Sequence, residues 1–110
     1  MPGISIHVVD VSRGVVAAGM RVELIYDGTR IAAAETSSKG LLELEGMAKK
    51  GMYEAIFHVA GWYRSQQVAL PSPPFLDVVT YRFGISDPAQ HYHLPFKCTP
   101  WGYSCFRGGA

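Results

Sequence analysis

Four histidines occur in this chain of 110 residues, and three of them lie where chemistry could use them. His91 and His93 belong to the run His91-Tyr92-His93-Leu94-Pro95-Phe96-Lys97-Cys98, and His7 to Ile4-Ser5-Ile6-His7-Val8-Val9. An extended strand sends alternate side chains to opposite faces, so His91, His93, Pro95 and Lys97 share one face. Two imidazoles and an ammonium make a poor core face, and this strand should line a cleft or an interface. An imidazole titrates near neutral pH. It can take a proton from water or, once charged, steady a developing oxyanion. Thr99-Pro100 then leads into Trp101-Gly102-Tyr103-Ser104-Cys105-Phe106-Arg107. That segment reads as the return of a closing hairpin, with Ser104 and Phe106 on one face. His7, His91 and His93 together could also offer three nitrogen ligands to zinc.

The elements that must position these residues are strands. Ile4, Ile6 and Val8 alternate with Ser5, His7 and Val9, and Val22, Leu24 and Tyr26 alternate with Arg21, Glu23 and Ile25. Asp27-Gly28 follows at once and marks a tight hairpin, with a returning strand from Thr29 to Thr36. The polar turn Ser37-Ser38-Lys39-Gly40 leads into a strand over Leu41 to Glu45. Two longer alternations follow, Tyr53, Ala55, Phe57 and Val59, then Val79, Tyr81, Phe83 and Ile85. Only Ala60 to Gln67 reads as helical, and Trp62 and Tyr63 suit the packing of such a helix. Leu70-Pro71-Ser72-Pro73-Pro74 must be loop, because three clustered prolines fit neither a ladder nor a helix. His58 reads as a structural residue beside Phe57 and Val59. Seven or eight short strands separated by turn signals predict an all-β, two-sheet β-sandwich.

Composition narrows the function classes. The length suits one domain over residues 1–110, whose folding buries roughly two-thirds of the unfolded chain's surface. With 48% hydrophobic and 17% charged residues the chain is globular, and a net charge of +1 supplies no field for nucleic acid or an anionic membrane. No apolar run approaches the ~20 residues of a membrane span. The start Met1-Pro2-Gly3-Ile4 lacks the basic opening of a signal peptide. Cys98 and Cys105 read as free thiols, and a reducing cytoplasm is the expected compartment. The glycines form no phosphate-binding pattern.

Four segments in this order carry a resemblance. They are Ile6-His7-Val8-Val9-Asp10, Thr36-Ser37-Ser38-Lys39-Gly40, His91-Tyr92-His93-Leu94-Pro95 and Tyr103-Ser104-Cys105-Phe106-Arg107-Gly108. Together they resemble the transthyretin-like family, whose enzymes are 5-hydroxyisourate hydrolases, over essentially the whole chain. The resemblance implies a two-sheet sandwich with one short helix, and a homotetramer with active sites in a channel where two dimers meet. It implies opening of the six-membered ring of 5-hydroxyisourate by water, a step of purine catabolism, with no metal and no cofactor. Family enzymes use a histidine on the first strand, an arginine after a turn's Asp-Gly, the second histidine of His-Tyr-His, and a C-terminal Tyr-Arg-Gly-Ser.

Carried over, His7 and His93 are the implied catalytic residues. The arginine position holds Leu41, the tyrosine position Phe106 and the serine position Gly109, while Arg107 and Gly108 remain. Arg107 is expected to support the carboxy-terminal part of the substrate site, with Ser104 and Lys97 as further pocket residues. Lys97, or Lys39 before the altered position, could stand in for the missing arginine. Both changes, at Leu41 and at Phe106, remove polarity. A substrate with methyl groups on its ring nitrogens would meet them favourably, whereas charged donors there would be left unpaired. An N-methylated 5-hydroxyisourate, the product of methylxanthine oxidation, is therefore the expected substrate. The competing expectation is a non-catalytic small-molecule binder, the use transthyretin makes of this fold. Retention of both histidines favours the enzyme.

Overall fold

The computed structural model describes residues 2–109. Its elements are β1 (Gly3–Asp10), β2 (Val15–Val16), β3 (Arg21–Tyr26), β4 (Thr29–Glu35), β5 (Leu41–Glu45), β6 (Gly51–His58), α1 (Val59–Ser65), β7 (Val78–Ile85), β8 (Tyr92–Thr99) and β9 (Gly102–Cys105). The two-sheet β-sandwich with one short helix is the fold observed. One sheet runs β2-β1-β8-β9, with β5 also paired to β1; the other runs β4-β3-β6-β7. The strand count exceeds the expected seven or eight through β2. This two-residue ribbon, Val15 and Val16 against Asp10 and Val9, is too short to show an alternation.

The alternation read from the sequence sorts correctly into inside and outside. Ile4, Ile6 and Val8 of β1, Leu94, Phe96 and Cys98 of β8, and Tyr53, Ala55 and Phe57 of β6 are all buried. They meet in one core drawn from both sheets, where Phe57 and Phe96 stack at 3.8 Å between centroids. The Asp27-Gly28 turn has φ 49° and 80°, the left-handed pair that a two-residue hairpin requires. The helix runs Val59–Ser65, starting and stopping earlier than its pattern suggested. Gln67, at φ 61°, lies past its end and returns its neighbour Val68 N–H to Tyr63 O. Trp62 and Tyr63 are buried on α1, as expected.

A polar cluster sits under this helix. Asp10, with 0% exposure, closes β1 and accepts hydrogen bonds from Tyr63 Oη at 2.7 Å, Arg13 Nε at 2.7 Å, Ser12 N at 3.0 Å and the Ser12 hydroxyl. Burial works to raise its pKa, but these donors outweigh it and hold the carboxyl below the usual range. On the far sheet, His58 Nε2 and Glu23 Oε2 share a hydrogen bond of 2.6 Å, and Arg30 pairs with the same carboxylate at 3.2 Å. The His58 hydrogen bond, then the Arg30 one, keeps Glu23 below its ordinary value. The first cluster ties β1 to α1, and the second ties β3 to β4 and β6.

Candidate active site

The topology that matters is the parallel pairing of β1 with β8. Its register sets Ser5 opposite His93, His7 opposite Pro95 and Val9 opposite Lys97. With Ile4, Ile6, Leu94 and Phe96 committed to the core, Ser5, His7, His93, Pro95 and Lys97 must share the outer face. On the other side of β1, β5 places Leu41 opposite His7 and Glu43 opposite Ser5. On the other side of β8, β9 places Ser104 opposite Lys97. One sheet face therefore carries His7, His93, Leu41, Lys97 and Ser104.

His7 is held by the turn before β5. Its Nε2 lies 3.2 Å from Lys39 O. A carbonyl only accepts, so Nε2 carries the proton and Nδ1 keeps its lone pair when the ring is neutral. The turn is pinned in turn by Gly40, at φ 73°, whose O accepts from Val8 N at 2.8 Å. A Cβ at Gly40 would lie 2.6 Å from Val8 O, so no other residue fits there. Lys39 thus lends its carbonyl to the site.

His93 is half-buried, and its Nδ1 lies 2.7 Å from Ser5 Oγ. The same hydroxyl lies 2.8 Å from His91 Nε2. Burial lowers the His93 pKa first, and the neighbouring imidazoles of His7 and His91 lower it further. A neutral ring with a free nitrogen is the form a general base needs.

The C-terminal tail reaches His93. After β9 the chain continues beside β8 in the same antiparallel register, and Gly108 N–H donates to His93 O at 2.8 Å. A Cβ there would lie 2.8 Å from Pro95 Cγ, so glycine lets the tail come this close to β8. Phe106 stands 46% exposed between β9 and this bridge, with Lys97 Nζ 5.8 Å from its ring centre. Arg107 turns away from the histidine pair. Its guanidinium bonds Gln90 Oε1 at 3.0 Å and His91 O at 3.2 Å and lies 4.0 Å from the centre of the Tyr92 ring. Lys97 and Ser104 line a shallow hollow of about 250 Å³ with Val11, Thr99, Gly102 and Tyr103, to one side of the histidines.

Ser5 was not anticipated among the site residues, nor was His91 beyond a possible metal ligand. Ser5 carries no signal of its own; its position gains meaning only from the parallel register with His93. Among the described residues no cluster of three or more His, Cys, Asp or Glu has a geometry for metal. Cys98 and Cys105 are free, and burial pushes their thiols up to about 11 and about 12, which makes them inert. Nor is any helix among the described residues long and apolar enough to cross a membrane.

Comparison with known proteins places these features in context. The family model described as HIUase/Transthyretin family matches residues 4–108. A 5-hydroxyisourate hydrolase of Deinococcus radiodurans is 47% identical, over 97% of this chain and 96% of that protein. One from Ralstonia nicotianae is 40% identical over 98% of this chain and 99% of that protein. The solved structure of Klebsiella pneumoniae 5-hydroxyisourate hydrolase superposes with a TM-score of 0.86 at 26% identity, covering 99% of this chain and 100% of that one.

Proposed function

Because the chain belongs to the HIUase/Transthyretin family, we propose that it is a cyclic amide hydrolase that opens the six-membered ring of 5-hydroxyisourate. We further infer that its preferred substrate is an N-methylated form of that ring. One observation carries the reading. His7 and His93, set on adjacent parallel strands, open onto one face that Leu41 shares and that Phe106 borders beside Lys97.

The proposed chemistry needs few parts. The ring carbonyl is electrophilic already, so water suffices as nucleophile. His93, kept neutral by its surroundings, takes a proton from that water as its oxygen bonds the carbonyl carbon. His7, with Nε2 committed to Lys39 O, presents Nδ1 to the same face and orients the water. The ring C–N bond then breaks, and the proton returns to the leaving nitrogen. Leu41 and Phe106 shape the walls, Arg107 braces the tail that carries Phe106, and Lys97 and Ser104 border the pocket. No metal or cofactor takes part. Two such faces, packed across dimers of a homotetramer, would enclose the substrate. Two free thiols fit a reducing cytoplasm.

Methyl selectivity follows from what is absent at two positions. A single well-placed charged donor is worth about 3 kcal/mol in a transition state, so its loss must be recovered by contact. Each methyl buried against Leu41 or Phe106 returns roughly 0.8 kcal/mol and leaves no donor unpaired.

The test is a coupled ultraviolet assay in which urate or trimethylurate is oxidised in place. Decay of each hydroxyisourate is followed with and without the protein and with the His93→Ala variant. Acceleration by the wild type and its loss in the variant is the expected result, with trimethylurate as the favoured precursor. Preference for urate overturns the methyl reading alone. No acceleration with either, from folded protein, overturns the enzyme and leaves a binder.

A further inference from the structure

The hydroxyl of Ser5 touches two imidazoles at once, His93 Nδ1 at 2.7 Å and His91 Nε2 at 2.8 Å. Ser5 is 8% exposed, so bulk water does not compete freely for it. A serine hydroxyl has one proton to give. Its oxygen can accept from both rings with the proton turned elsewhere, but two arrangements place that proton between the rings, with Ser5 donating to one and accepting from the other. In the first, His93 Nδ1–H donates to Ser5 Oγ while Ser5 donates to His91 Nε2; His93 Nε2 is then a free base. In the second, His91 Nε2–H donates to Ser5 and Ser5 donates to His93 Nδ1; His93 Nε2 then carries a proton and is a donor. In these two arrangements the tautomers of the two rings are coupled through one oxygen.

We propose that Ser5 is a positioning residue that relays a proton between His93 and His91 during each turnover of the hydrolysis proposed above, on which this inference rests. As the water oxygen bonds the ring carbonyl carbon, its proton passes to His93 Nε2. The Nδ1 proton of His93 moves to Ser5 Oγ, and the serine proton moves to His91 Nε2. His91, already protonated at Nδ1 in this arrangement, becomes the imidazolium. When the ring C–N bond breaks, the same three transfers run backward and the proton reaches the leaving nitrogen. Charge balances at every stage, and the positive charge leaves the pocket's base.

Three observations favour this over a passive hydrogen bond. His93 resists holding a charge, because it is half-buried and lies near two other imidazoles. His91 stands in the loop before β8 rather than in the sheet, yet it is fixed from behind. Arg107 bonds its carbonyl at 3.2 Å, reaches Gln90 at 3.0 Å and lies against Tyr92. The other ionisable groups that face the trio are few. His7 lies next along the outer face of β1, and Glu43 of β5 is opposite Ser5 in register.

Ser5→Ala, Ser5→Thr and the wild type are compared in two measurements. The first follows the ring nitrogens of His91 and His93 by two-bond proton–nitrogen NMR from acid to alkaline pH. Coupled, two-step titration in the wild type and in Ser5→Thr, and two independent single steps in Ser5→Ala, is the expected result. The second is the rate on the hydroxyisourate. In Ser5→Ala kcat should fall roughly tenfold or more with KM within about twofold, and Ser5→Thr should recover most of it. The solvent isotope effect, curved against deuterium fraction in the wild type, should become linear in Ser5→Ala. Unchanged histidine titrations in Ser5→Ala overturn the relay, whatever the activity. A wild type without hydrolase activity but with coupled titrations overturns the proposed reaction and keeps the coupling.

Discussion

Replacing Tyr63 by phenylalanine removes one hydroxyl, and with it one of the donors to the buried carboxylate of Asp10. The Tyr63 Oη to Asp10 Oδ1 contact is 2.7 Å, and Asp10 is 0% exposed. A hydrogen bond to a charged group is worth about 1.5–3 kcal/mol, and removing it leaves acceptor capacity that solvent cannot reach. We take about 2 kcal/mol. Unfolding entropy of ~2.1 cal/mol/K per residue over 110 residues makes that a fall of about 9 °C in Tm. The comparison is made at fixed protein concentration, so that assembly contributes equally. Its pH dependence carries the sharper test. The folded pKa of Asp10 lies below its ordinary 3.8, so the stabilisation is complete above that value. It is lost as pH falls through the lower folded value. Below it the carboxyl is neutral, and a neutral bond is worth about half a charged one. The Tm gap between wild type and Tyr63→Phe should therefore shrink by roughly half in acid. Tyr53→Phe is the control, because the Tyr53 hydroxyl meets only backbone groups of Met47 and Lys49. Its gap should not move with pH. A Tyr63→Phe gap under about 2 °C, or one as large in acid as at neutrality, refutes the charge-based account of this cluster.

Three further outcomes are expected. The acid limb of kcat/KM should be centred below the ordinary histidine value of 6.5, since burial, then His7 and His91, depress His93; activity should be low beneath that midpoint, rise through it and hold above it, and a midpoint above 6.5 in a pH–rate profile refutes it. Leu41→Arg with Phe106→Tyr should raise kcat/KM on the unmethylated ring by about 100-fold and lower it on the trimethylated ring; a parallel change on both substrates in the coupled assay removes these residues from selectivity. Gly40→Ala should cost at least ~2 kcal/mol in chemical denaturation, because its Cβ would meet Val8 O at 2.6 Å. Gly19→Ala, equally left-handed but with nothing within 4 Å, should cost about 1 kcal/mol; equal costs at the two positions refute the steric argument.

What the sequence disclosed is what local rules govern. The Asp27-Gly28 hairpin, the inward set Ile4, Ile6 and Val8, and the proline loop all follow from preferences acting over a few residues. The shared outward face of His93, Pro95 and Lys97 followed from the same period of two. The register joining β1 to β8 did not, because it pairs residues as distant as Ser5 and His93, 88 positions apart. Ser5 was therefore one polar residue among many in an alternating strand. Arg107 shows the same limit. Its support of the carboxy-terminal segment was legible, but its partners Gln90, His91 and Tyr92 were not, because only the tail's run beside β8 brings them within reach.

The parallel pairing of β1 with β8 also bears on how the chain is made. A nascent polypeptide leaves the ribosome amino end first, so β1 emerges with one flank unfilled until Tyr92–Thr99 has been synthesised. Meanwhile β3, β4, β6 and β7, the whole of the other sheet, can pair among themselves as antiparallel neighbours. Such late, long-range closure is slow by nature, and until it occurs the flank of β1 is open to wrong partners. Because His7 and His93 lie on β1 and β8, a chain stalled before that closure has not brought the two imidazoles of the proposed site together. Turnover of the proposed substrate regained on refolding therefore cannot precede the docking of β8 on β1.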